Sequence, residues 1–338
     1  MKINQLLKLI GLIIFIFILT KIDFQKIKEI IPAIQVSYLF MAVIFTLLPV
    51  AVKAYRWEYL LKMQQIDYSF KDSFMAYLCS VFAGIITPAK AGELIKVFYV
   101  KKATNISLGK AFSSVIIDRI LDLFFLLLFA LTGILYFYVY YDYLIVLITL
   151  LVMLVITILF LLNKQVKTLL VNLLLKLVTI RFKNKLTNHV EDFLNGLDIV
   201  GRIKFIFPVF LTLVSYLIYF FNCYLISKSL SMPISFSYLS FSISITVVLA
   251  LLPVTIAGIG IRDASLIFLF WQIGIDKEMA LTYSLLFLVF INITAGLVGI
   301  FAWMKMPFEF YSTFSKPIEE VKQNEENAAK FNKDGIGY

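Results

Sequence analysis

Seven ionisable side chains stand in surroundings that are otherwise almost wholly apolar, and their types and spacing set the chemistry on offer. Lys90 and Glu93 fall in Thr87-Pro88-Ala89-Lys90-Ala91-Gly92-Glu93. Asp118, Arg119 and Asp122 fall in Ile116-Ile117-Asp118-Arg119-Ile120-Leu121-Asp122, and Arg262 and Asp263 close the run Pro253-Val254-Thr255-Ile256-Ala257-Gly258-Ile259-Gly260-Ile261-Arg262-Asp263. A charge within hydrocarbon is costly unless paired or hydrated, so such residues are functional candidates by default. On a helix Asp118 and Asp122 share a face at i and i+4, with Arg119 three residues from Asp122. The first and third groups coincide with Pro and Gly, which remove a backbone donor and relax the chain, so each helix is expected to unwind there. The half-helix N-terminus left at such a break carries partial positive charge and binds anions. Gly92 and Gly260 would let a phosphate approach the backbone closely, Gly258 stands in the same loop as Gly260, and Lys90 and Arg262 would add full charges. The ligand this suggests is an anionic headgroup such as a lipid phosphate. Glu93 and Asp263 could instead bind a cationic group or orient the basic residues. A plainer alternative is that all seven charges pair with one another and pin helices together.

The elements that must position these groups follow from composition. Of 338 residues 61% are hydrophobic and 15% charged, against roughly 25% charged in a soluble domain. Apolar stretches of about 17–25 residues recur, long enough to cross a bilayer as helices. They are continuous and lack period-two alternation, so helices are expected rather than strands. The candidate segments are Leu6–Thr20, Val36–Val52, Phe74–Val100, Ser113–Val139, Tyr143–Leu162, Phe205–Ile226, Phe236–Phe270 and Ala280–Met304. Phe74–Val100 and Phe236–Phe270 are the two broken ones. The N-terminal segment has no small-x-small cleavage site and is expected to remain as the first membrane helix.

Charge placement chooses a topology. If both broken segments are re-entrant and the N-terminus is cytoplasmic, 23 of the 31 Lys and Arg residues fall in inside segments and five in outside loops, as the positive-inside rule requires. Kinked single spans would put the basic 164–204 region outside. The fold expected is therefore an all-α polytopic transmembrane bundle with two re-entrant broken-helix hairpins of opposite topology, an inverted repeat of the kind transporters use. One transmembrane domain is expected over 1–305, with a polar, disordered cytoplasmic tail over 306–338. Within 163–204, apolar residues at helical spacing predict amphipathic helices on the cytoplasmic membrane surface. Arg56 and Glu58, set among Tyr55, Trp57 and Tyr59, are expected to anchor the cytoplasmic end of the second span. The net charge of +10 is assigned to those cytoplasmic segments and anionic lipid rather than to nucleic acid. The isolated His189 and the apolar settings of Cys79 and Cys223 suggest neither metal nor disulfide. No nucleotide motif is present, and no cofactor is expected.

At the three charged motifs the chain resembles the family of the lysylphosphatidylglycerol synthetase transmembrane region, also described as flippase-like membrane domains. Pro88 through Glu93 is similar to the family's Pro-x-Arg-x-Gly-Glu. Asp118 through Asp122 is similar to Glu-Arg-x-x-Asp, and Pro253 through Asp263 to Pro-x-x-x-Gly-Gly-x-Gly-x-Arg-Glu. The resemblance runs from about residue 5 to 305. It departs at Lys90, where Arg is usual and bidentate phosphate contact is lost, at Asp118 and Asp263, where Glu is usual, and at Ala257, where the family has Gly. The resemblance implies movement between leaflets of an anionic or aminoacylated phospholipid, or another lipid-linked headgroup. Its site would comprise Lys90, Gly92, Glu93, Asp118, Arg119, Asp122, Gly258, Gly260, Arg262 and Asp263, in a multi-pass protein of the plasma membrane with both termini cytoplasmic. In large bifunctional members a separate cytoplasmic domain attaches lysine. The 34 residues after Met304 are too few for it, so lysyl transfer is not expected. Two other readings stay open. One is a lipid-modifying transferase with Asp118 or Glu93 as general base. The other is a non-transporting subunit that docks a partner enzyme, or a second copy of the chain, through 164–200.

Overall fold

The structure, a computed structural model, describes residues 14–137, 148, 152, 183–252, 255 and 257–307. The expected span Tyr143–Leu162, the first half of the 163–204 region, the tail beyond residue 307, the start of the first segment, and Pro253, Val254 and Ile256 lie outside the described residues. What is described is all-α. The helices are α1 (Phe24–Ile30), α2 (Val36–Met63), α3 (Phe70–Ile86), α4 (Lys96–Thr104), α5 (Leu108–Phe137), α6 (Lys183–Gly196), α7 (Ile206–Ser229), α8 (Phe236–Ala250), α9 (Ile261–Trp271), α10 (Lys277–Phe287) and α11 (Thr294–Lys305). A turn of π-helix, Leu288–Ile293, joins α10 to α11. Three continuous helices among the described residues are long and apolar enough to cross a membrane: Val36–Met63, Ile203–Ser229 and Lys277–Lys305.

Local sequence explains the boundaries. Ser69 and Ser235 cap α3 and α8, their hydroxyls accepting from the amides of Asp72 and Tyr238 (3.2 Å each). Pro208 falls in the first turn of α7, where its missing N–H is harmless. The chain breaks where Pro and Gly predicted. After α3 comes a 3₁₀ stretch, Pro88–Ile95, with Ala89 and Lys90 at φ of 52° and 55°. Between α8 and α9 the φ angles are +53° at Ala257, +75° at Gly258 and +87° at Gly260. One boundary departs from expectation. The second span does not stop at Val52 but runs on for a helix of 28 residues. Lys53 and Arg56 are carried inside the bundle because carboxylates on α5 neutralise them.

Two sets of elements repeat with their ends exchanged. Each set has a long helix, two short helices across a break, and a second long helix: 28, 17, 9 and 30 residues in the first set, and 24, 15, 11 and 29 in the second. The leading helices α2 and α7 pack antiparallel. Gln35 N donates to Ser229 O (2.8 Å), Asn222 Nδ2 to Thr46 Oγ1 (3.0 Å) and Arg56 Nη1 to Thr212 Oγ1 (2.9 Å). The remaining contacts exchange accordingly, α3 packing on α11 of the second set and α8 on α5 of the first. Tyr99 Oη on α4 donates to Met306 O, just after α11 (2.8 Å).

The described part of the 163–204 region includes α6, which packs on the bundle. The apolar face of α6 is buried against the bundle, Leu194 packing with Leu60, Ile117 and Leu121. A Cβ at Gly109 would overlap the carbonyl of His189, and one at Gly196 the hydroxyl of Ser113. Gln64 Nε2 donates to Gly196 O (3.0 Å). Val190, Phe193 and Leu194 on α6 thus face the bundle.

Candidate functional site

On α2, Thr46, Pro49, Lys53 and Arg56 recur at intervals of three and four residues and so share one face. That face meets Asp118 and Asp122 on α5. Arg56 donates from Nε to Asp118 Oδ1 (2.9 Å) and from Nη1 to Asp122 Oδ1 (2.9 Å). Lys96, at the start of α4, donates to Asp118 Oδ2 (2.6 Å) and lies over the Tyr77 ring, 3.9 Å from its centroid. Lys53 reaches Asp122 Oδ1 (3.0 Å) and lies 4.6 Å from the Tyr216 ring. Arg119 pairs with Glu93 at the first break and, through Nη2, with Asp122 Oδ2 (3.1 Å). Arg56, Lys96 and Asp118 are completely buried. Such charges persist away from water only when mutually paired and hydrogen-bonded. Here four cations, Lys53, Arg56, Lys96 and Arg119, share three carboxylates.

The second break is closed upon itself. Asp263 Oδ2 accepts from Gly260 N (2.8 Å), and Oδ1 accepts from Arg262 Nη2 (2.9 Å) and Ser284 Oγ (2.5 Å). Arg262 Nε donates to Ser284 Oγ (2.9 Å). The carboxylate of Asp263 therefore occupies the anion position at the N-terminus of α9.

Both breaks border one cavity of about 290 Å³. Of the residues singled out from sequence, Lys90, Glu93, Arg119, Asp122, Gly258 and Arg262 line it. Lys90 is exposed at its edge and makes no ion pair among the described residues. Asp118 does not line it, being enclosed by Arg56, Lys96 and Tyr77. Gly92 faces away: a Cβ there would overlap the carbonyl oxygen of Ala83, so its smallness lets the 3₁₀ stretch fold back against α3. Its amide donates to Thr87 Oγ1 (2.7 Å) rather than to a ligand. Gly260 and Asp263 serve the closed turn just described. Arg56 is no interface anchor, being buried at the heart of the ion network, and Glu58 is buried and paired with Lys62 (2.6 Å).

Sequence reasoning missed Lys53, Arg56 and Lys96 as members of the cluster, and Thr46, Tyr77 and Asn222 as lining residues. The face through Thr46, Pro49, Lys53 and Arg56 was a usable signal, since four polar or helix-breaking residues on one side of a span face the bundle interior. Among the described residues no group of three His, Cys, Asp or Glu side chains could hold a metal.

Membrane-length helices packed around a charged, broken-helix interior define an all-α integral membrane protein with several apolar helices. The chain belongs to the family described as the lysylphosphatidylglycerol synthase TM region, whose sequence model matches residues 5–299. It is 26% identical over 302 residues to UPF0104 membrane protein MJ1595 of Methanocaldococcus jannaschii, covering 84% of this chain and 89% of that protein. It is 29% identical over 136 residues to UPF0104 membrane protein PH1989 of Pyrococcus horikoshii, covering 39% of this chain and 41% of that one. No solved structure matches significantly.

Proposed function

We propose that the chain moves a phospholipid or lipid-linked anionic headgroup between the leaflets of the plasma membrane, as a transporter rather than an enzyme. One observation carries this reading: both helix breaks and a surplus of cations face a single cavity. In this reading the two broken segments are re-entrant hairpins that enter from opposite faces, with both termini cytoplasmic. Broken helices from two inverted halves that meet around one cavity are the arrangement in which transporters hold substrate. Lys53, Lys90 and Arg119 would hold the phosphate, with Glu93 and Asp122 keeping Arg119 and Lys53 in place. Arg262 serves the second break structurally, since Asp263 already satisfies it. The volume, near the lower limit of ordinary ligand pockets, suits a headgroup whose acyl chains stay outside.

The test is leaflet redistribution of fluorescent phospholipids in proteoliposomes, anionic against zwitterionic. Wild type should redistribute the anionic lipid faster than protein-free vesicles do. Lys53→Ala and Lys90→Ala should each slow it about tenfold, the loss expected of one charge-assisted phosphate contact. A folded wild-type protein that moves no anionic lipid, or rates untouched by both substitutions, would refute the proposal.

A further inference from the structure

The long span Lys277–Lys305 is not one regular helix. Its middle is the turn Leu288–Ile293, the only π-helical segment among the described residues. A π turn interrupts the ladder of bonds to the fourth residue back, and such turns gather at functional sites. In an unbroken α-helix Thr294 N would donate to Phe290 O; here it donates to Val289 O and Ile291 O. Phe290 O is met instead by Thr46 Oγ1 on α2 (2.8 Å). The same hydroxyl lies 2.8 Å from Ala42 O, one turn earlier in its own helix. It also accepts from Asn222 Nδ2 on α7 (3.0 Å). Buried hydroxyls elsewhere in these helices, such as Ser80, Thr212 and Ser244, turn only to their own helix. One hydroxyl carries one proton, so Thr46 can give it to either carbonyl. Release of Phe290 O leaves Thr46 satisfied by Ala42 O, and a shift of the π turn along the helix would return Thr294 N to Phe290 O. Both arrangements keep their main-chain groups paired, which is the condition for two states of similar free energy.

The two sides of the turn belong to different parts of the bundle. On the α10 side, Ser284 is bonded to Arg262 and Asp263 at the second break, and Tyr283 Oη donates to Cys223 O on α7 (3.1 Å). On the α11 side, a Cβ at Gly299 would overlap Leu78 O on α3, and the Trp303 and Phe82 rings meet edge to face with centroids 5.9 Å apart. So α10 is fixed to the second break and α11 to the helix that leads into the first. The turn between them borders the cavity through Ile291 and Asn292. Facing it, α2 is weakened close by, since Pro49 has no amide to give Phe45 O. We infer that the π turn is a hinge between the two broken-helix halves, and that the Thr46 hydroxyl is the catch holding it in the arrangement seen. Bending there changes the separation of α3 from α9, and with it the width of the cavity, while the packing of α10 and of α11 stays intact. This conformational device goes beyond the transport reading and does not depend on what the cavity holds.

The test reads distance rather than lipid movement, so its failure and that of the transport reading are separate. Ile86 at the end of α3 and Leu252 beside the second break are both exposed. Spin labels on Ile86→Cys and Leu252→Cys, in a full chain lacking Cys79 and Cys223, report the separation of the two breaks by pulsed electron resonance in nanodiscs. Thr46→Val leaves Phe290 O unpaired in the arrangement seen. The population at a second distance should therefore rise about tenfold over wild type. Thr46→Ser, which keeps the hydroxyl, should match wild type. Identical distance distributions in all three would overturn the hinge, as would a shift in Thr46→Ser as large as that in Thr46→Val. Should Thr46→Val fail to fold, hydrogen exchange on the wild-type chain decides. Amides of residues 288–294 should exchange at least about tenfold faster than those of 279–287 and 296–304, because a hinge opens before the helices it joins. Uniform protection along the span would overturn it.

Discussion

Asp118 is the residue on which the buried network turns. It accepts from Arg56, Lys96 and Tyr77 and is completely buried. Asp118→Asn keeps the shape and removes the charge, leaving Lys96 with no other carboxylate at hydrogen-bond distance among the described residues. Stranding a buried charge costs about 3–5 kcal/mol, so thermal unfolding of the detergent-solubilised variant should fall well below wild type. Glu58→Gln, whose partner Lys62 is exposed, should cost less than about 1 kcal/mol in the same assay. At this scale the sequence was half legible. An Asp-Arg-x-x-Asp run in an apolar stretch announces itself because each charge there demands a reason. Lys53, Arg56 and Lys96 were hidden by position. Lys53 and Arg56 lie beyond the end of the apolar window Val36–Val52 and Lys96 lies near the end of Phe74–Val100, where cations ordinarily belong to a loop, and only the neighbouring helix reveals that carboxylates await them.

At the scale of elements, the breaks were readable because Pro88 and the Gly258-x-Gly260 pair act locally. The roles of the glycines were not, because they depend on what packs opposite. Gly92 lies against the backbone of Ala83, so Gly92→Ala should push the 3₁₀ stretch off α3 and displace Glu93 from Arg119. The expected outcome is a melting temperature lowered by more than Gly201→Ala lowers it, since a Cβ at Gly201 meets nothing. Helix α6 makes a similar point. Its 3.6-residue apolar period was plain, yet periodicity specifies an apolar partner without naming it, and bilayer and protein look alike. Because Gly109 lies against the backbone of His189 and Gly196 against Ser113, Gly109→Leu should detach α6. Hydrogen exchange would show this as lost protection over residues 183–196 with α7 unaffected.

For the whole molecule, the exchange of ends between the two sets follows from sums that one sequence barely displays. The halves share element lengths and break positions but few residues. Their charges differ as well, one half carrying a seven-member ion network and the other a self-contained Arg262–Asp263 pair. The expected inverted repeat places Asn105, between α4 and α5, and Ser231, after α7, on opposite faces of the membrane. Single cysteines there, in a background lacking Cys79 and Cys223, should be labelled by an impermeant maleimide from opposite sides of oriented vesicles. Labelling of both from one side would mean that the halves are not inverted across the bilayer.

The most direct test of the central claim is an experimental map of the chain in nanodiscs containing an anionic phospholipid. Headgroup density should lie between the two breaks, within hydrogen-bond reach of Lys90 and Arg119, with acyl chains leading outward. A cavity holding only solvent, with lipid confined to the outer surface of the helices, would contradict it.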